Sequence, residues 1–135
     1  MTAAEKKLII EKGSDYLAMF RVPHDDGITT RDLTGWTWEV KVYKVTDVSN
    51  PVAVVTGLAG SRGEDVANGN VDIYLDSASA IQSLPCKPDS QTESILVDDP
   101  FATEYNYRYT ITLIEGGSSP KREMRIARGK LAVRV

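Results

Sequence analysis

This 135-residue chain contains one cysteine, one histidine and two phenylalanines. Cys86 can form no intramolecular disulfide, so the fold does not rely on oxidising surroundings. A single His24 excludes zinc sites built on several imidazoles and most mechanisms that need a histidine base. The apolar stretch Leu8-Ile9-Ile10 is far too short for a signal-peptide core or a membrane span. The chain therefore reads as a soluble protein made in a cytoplasm, with nothing that exports it. Net charge is −3 at pH 7, which gives no reason to expect a nucleic-acid partner. There are no heptads, no repeats and no sustained helical period.

What is present is strand alternation, interrupted by turn residues. Lys7 to Lys12 reads as a short, charged first strand, and Gly13-Ser14-Asp15 as a turn. Tyr16, Ala18, Phe20 and Val22 share one face of a second strand, which Pro23-His24-Asp25-Asp26-Gly27 ends. Trp36, Trp38, Val40 and Val42 alternate with Thr37, Glu39, Lys41 and Tyr43, and two tryptophans on one face place this strand at the centre of the core. Val52 to Thr56 is a further strand, Gly57 to Gly69 an exposed loop, and Val71, Ile73 and Leu75 resume the alternation. The stretch from Asp76 to Leu84 suggests one or two helical turns, with Asp76 or Ser77 as N-cap and Pro85 as terminator.

Residues 85–100 are polar, with little period, and only Ile95, Leu96 and Val97 form an apolar patch. A connection of this length in a compact domain is functional or mobile, so these three residues are the candidate interface. Tyr105, Tyr107, Tyr109, Ile111 and Leu113 then share one face of a strand, with core packing the reading for Tyr107 and Tyr109. A turn around Gly116-Gly117 leads into a return strand, with a bulge expected at Gly129. One domain over 1–135 is expected: an all-β, single antiparallel β-sandwich, immunoglobulin-like or jelly-roll-like. It should have about 7–8 short strands and one or two short helical turns.

Catalytic chemistry is hard to find. His24 sits in a turn beside Asp25, and a solvated turn residue is the simpler reading than a dyad. Cys86 has no base and no second ligand nearby. The Gly57-x-x-Gly60-x-x-Gly63 spacing lacks the Lys-Ser/Thr pair of a phosphate loop and lies among acids. Asp25-Asp26 and Asp98-Asp99 fit turn chemistry better than paired catalysis or calcium binding. Lys121, Arg122, Arg125, Arg128, Lys130 and Arg134 gather near the C-terminus, but on a segment that alternates like a solvated strand. Tyr43, Tyr74 and Tyr105, if exposed, could stack a sugar or a base. No catalytic, metal or cofactor residue is assigned, and the chain reads as a non-enzyme.

The ordered run Lys12-Gly13-Ser14-Asp15, Asp26-Gly27, Asp32-Leu33-Thr34-Gly35-Trp36, Gly69-Asn70-Val71-Asp72-Ile73, Tyr107-Arg108-Tyr109 and Arg128-Gly129-Lys130-Leu131-Ala132-Val133 resembles small structural proteins of tailed bacteriophages. It is similar in particular to the N-terminal β-sandwich module of phage baseplate upper proteins. The insertion at residues 85–100 departs from that plan. The resemblance implies a virion protein of the tail, baseplate or fibre-attachment region, present as a homo-oligomer in a symmetric assembly and bound to other virion proteins. No cofactor, nucleic acid, membrane or small-molecule ligand is implied, and no site residues transfer. A capsid decoration or cement protein is the alternative within the class. A carbohydrate-binding module is the alternative outside it.

Overall fold

The computed structural model describes residues 3–23, 29–85, 105, 107–117 and 121–134. Among the described residues eight strands form two sheets: β1 (Ala4–Glu5), β2 (Leu8–Glu11), β3 (Tyr16–Arg21), β4 (Thr37–Lys44), β5 (Ala53–Leu58), β6 (Asn70–Leu75), β7 (Tyr107–Ile114) and β8 (Glu123–Arg134). The large sheet runs β1-β8-β7-β4-β5, with β2 also on β8, and the small sheet pairs β3 with β6. The β-sandwich expected from the alternation is the observed fold. Two pairings differ from an all-antiparallel plan: β1 and β2 both lie parallel to β8, at one edge of the large sheet.

The inward faces carry the residues the alternation selects. Trp38, Val40 and Val42 of β4, Tyr107, Tyr109, Ile111 and Leu113 of β7, and Val71, Ile73 and Leu75 of β6 are all buried. β4 lies between β5 and β7, so its tryptophan face is covered from both flanks and from the opposing sheet. Burial of this kind is the dominant favourable term in folding.

The turn motifs do structural work. Asp32 Oδ1 accepts from the Thr34 N–H (2.9 Å) and the Thr34 hydroxyl (2.6 Å), and the Trp36 N–H donates to Leu33 O (3.0 Å). This closes a turn that needs Gly35 at φ +81° and delivers Trp36 into the core. Gln82 secures the turn after β2: its Oε1 accepts from the Gly13 N–H (2.9 Å) and its Nε2 donates to Ser14 O (2.9 Å).

Four local expectations are corrected. β5 runs through Gly57 to Leu58 rather than ending at Thr56, because Gly57 lies opposite Trp38 and leaves room for its indole. The segment from Gly57 to Gly69 also includes a 3₁₀ turn, Val66–Asn68. The turn before Pro85 is 3₁₀, Ala80–Ser83, with Ser79 at its N-cap; Asp76 instead accepts from the Ala78 N–H (2.9 Å) in a turn of its own. The β8 bulge falls at Ile126 rather than Gly129, since Ile111 pairs with Ala127 and Thr112 with Arg125.

Asp15 ties the small sheet to the turn after β6. Its carboxylate accepts from the Tyr74 hydroxyl (2.6 Å) and the Ser77 N–H (2.8 Å), and these bonds, the phenol's first, hold its pKa below the usual carboxylate range. A depressed folded-state pKa gives stability that is present above the unfolded value of about 3.9 and lost as pH falls through the folded value. Asp15→Asn should therefore lower the melting temperature at neutral pH and flatten its decline below about pH 4. Parallel melting curves for the two proteins across acidic pH would refute this.

Candidate functional site

The outer face of the large sheet carries a groove of about 580 Å³. Its lining includes Lys6, Lys7, Arg108, Arg125, Arg128 and Lys130 against one acid, Glu5. The bulge in β8 builds it. In a regular strand Arg125 and Arg128, three residues apart, would face opposite sides. The extra residue Ile126 restores the phase, so Arg125, Arg128 and Lys130 all point outward while Ile126 and Ala127 are both buried. β7 sets Arg108 beside Lys130 and Thr110 beside Arg128.

The groove's inner end is fixed by the break between β1 and β2. The Lys6 N–H donates to Arg128 O (3.0 Å), and the Tyr109 hydroxyl donates to Lys6 O (2.8 Å). Burial, and then the neighbouring Tyr16, pushes the Tyr109 phenol well above its ordinary pKa, so it remains a donor. Arg128 pairs with Glu5 (3.2 Å). The Lys6 ammonium lies 5.7 Å from the Phe20 ring centre and that of Lys7 5.5 Å from Tyr105. The side chains of Arg108, Arg125 and Lys130 have no ion-pair or hydrogen-bond partner among the described residues.

A second surface is apolar. Val45, Val48, Val52, Val54 and Leu58 are exposed along β5 and the turn that leads into it. β5 is the last strand of the large sheet and pairs with β4 alone among the described strands. The outer face of the small sheet adds Leu17 and Met19, the latter 74% exposed.

The candidate interface residues Ile95, Leu96 and Val97 lie outside the described residues, as do His24 and Cys86. The three half-buried tyrosines do not converge. Tyr43 is on the outer face of the large sheet. Tyr74 is on that of the small sheet, hydrogen-bonded to Asp15 and covered by the Arg62 guanidinium at 4.2 Å, while Tyr105 lies under Lys7. Tyr107 and Tyr109 are core residues, as their parity with Ile111 and Leu113 implies; the Tyr107 hydroxyl donates to Pro85 O (2.5 Å). Among the described residues no group of three or more His, Cys, Asp or Glu side chains could hold a metal ion. Nor is any helix among them long and apolar enough to cross a membrane.

No family model and no curated protein matches this sequence. Solved structures do match, among them the V domain of amphioxus IgVJ-C2, at 16% identity over 95% of this chain and 100% of that one, with a TM-score of 0.28. A likeness of that size bears on no activity, ligand or partner.

Proposed function

We propose that this chain is a non-enzymatic assembly module of a tailed-bacteriophage virion, acting in the tail, baseplate or fibre-attachment region. The phage assignment rests on the resemblance of its ordered turn motifs. The observation that carries the assembly reading is the apolar β5 edge. Val52, Val54 and Leu58, with Val45 and Val48 beside them, expose large apolar side chains next to a strand with no outer partner among the described residues. Exposed edges invite strand addition and exposed apolar patches mark protein contacts, so single domains ordinarily blunt both. The sugar-binding alternative calls for exposed tyrosines gathered round one groove, and here Tyr74 stands on the other sheet, bonded to Asp15, while Tyr105 is covered by Lys7.

Two experiments test the reading. Mass spectrometry of virions purified from the producing strain should find the chain, and its absence from particles would refute the virion assignment. The double variant Val54→Lys, Leu58→Lys changes only exposed positions, so its circular dichroism should match the unaltered protein. Its incorporation into particles should fall at least about tenfold, the loss of a modest apolar contact. Normal incorporation would remove the β5 edge from the assembly.

A further inference from the structure

We propose that copies of this chain associate head to tail, the cationic groove of one copy receiving the acidic outer face of the small sheet of the next. This deepens the assembly reading by naming the partner of one surface. Three observations carry it.

The first is the groove itself. The side chains of Arg108, Arg125 and Lys130 form no ion pair among the described residues, although Glu39 and Glu123 border Arg125, and a bulge gathers Arg125 and Lys130 onto one face with Arg128. Like charges held together in this way repel, and a docked anionic surface relieves the repulsion. The second is where the opposite charge lies. The chain carries net charge −3, although its groove is lined by six cations and one acid. On the opposite side of the sandwich, the outer side of β3–β6 presents Asp72, with Asp15 and Asp76 at one end and Glu64 bonded to the Asp72 N–H (2.7 Å). Of the cations there, Arg62 lies over Tyr74 and 4.0 Å from Asp72, and Arg21 is exposed at the end of β3, so among the described residues acids outnumber cations four to two. The third is apolar complementarity. Exposed Leu17 and Met19 stand on the acidic face, and Tyr43 and exposed Val48 line the groove.

The two surfaces lie on opposite faces of a two-layer sandwich, so a single two-fold contact cannot join groove to face and face to groove at once, and like charge opposes each surface meeting its own copy. The contact is heterologous, closing into a ring or running on as a filament according to its rotation. A polyanion such as nucleic acid would satisfy the groove but be repelled by the acidic face. A second copy uses both.

Sedimentation velocity on the full chain provides the test. At about 20 mM salt the mean mass should rise with protein concentration, and at about 500 mM salt the association should weaken at least tenfold. The variant Arg108→Glu, Arg125→Glu keeps its acidic face but loses its groove and should be monomeric. Leu17→Lys, Met19→Lys keeps its groove but loses its face and should also be monomeric. An equimolar mixture should form heterodimers and stop there, because one intact groove and one intact face remain. The proposal is overturned by a wild-type monomer at every concentration in low salt, by salt-insensitive association, or by a mixture that does not pair. Retention on a heparin column without self-association would also overturn it, giving the groove to a polyanion. The salt titration of the unaltered protein decides the matter even where a variant misfolds. If self-association is absent while the β5 variant still loses incorporation, the assembly reading stands and this contact falls.

Discussion

Truncating Trp38 to alanine is expected to destabilise the sandwich by about 3–5 kcal/mol, the range for removing a large buried aromatic. That is a large part of the roughly 5–15 kcal/mol that holds a domain folded. Trp38 is 4% exposed in the strand that lies between β5 and β7. Its indole covers Gly57 so closely that a β-carbon there would stand 2.3 Å from Trp38 Cζ2. No neighbour can collapse into the space without distorting β5, so the cavity term persists. Trp38→Phe should cost distinctly less. It keeps an aromatic ring over Gly57 and removes an indole N–H that is buried without a partner among the described residues. Gly57→Ala should destabilise by about 1–3 kcal/mol from the other side of the same contact, by overpacking. Urea unfolding of the three variants checks the order. If Trp38→Ala costs under about 1 kcal/mol, the core is not centred where its burial places it.

The features legible in the sequence are those with a local cause. Trp36 to Tyr43 and Tyr107 to Leu113 announce their buried faces because side chains alternate every residue, and Gly13 and Gly35 announce turns because the backbone there needs positive φ. Gly57 was hidden because a glycine that makes room for a tryptophan looks the same as one that opens a loop; only the β4–β5 register tells them apart. The groove was hidden for the same reason. Its cations come from the break between β1 and β2, from Arg108 and from β8, and nothing local says that β1 and β2 run parallel to β8. One signal was available. Arg125 and Arg128 break the two-residue spacing that Arg128 and Lys130 keep, and an odd spacing of solvent-facing residues between apolar neighbours is the mark of a bulge. Gly129 lies outside the bulge, and its missing side chain serves another purpose.

That purpose sets the second large effect. Gly129→Ala is expected to cost about 3 kcal/mol, although it adds a single methyl group. The new β-carbon would stand 2.1 Å from Lys6 O and 3.0 Å from Lys6 C, both backbone atoms that cannot rotate away. Gly129 also holds φ at +154°, where side chains are rarely found. Relief requires the break between β1 and β2 to lift from β8, which loses the bond from the Lys6 N–H to Arg128 O and takes from Tyr109 the acceptor of its buried hydroxyl. The damage should be directional. Amide exchange should quicken at Lys6 and at Lys12, whose N–H donates to Arg134 O (2.8 Å), while β4 and the β4-facing amides of β7 keep their protection. Gly117→Ala is the control: Gly117 has φ +98° with nothing within 4 Å of its would-be β-carbon, so that change carries only the backbone penalty of about 1–2 kcal/mol. If Gly129→Ala proves as mild as Gly117→Ala and leaves exchange at Lys6 unchanged, then the first strands are not held to β8 by this close approach, and the inner end of the cationic groove has some other support.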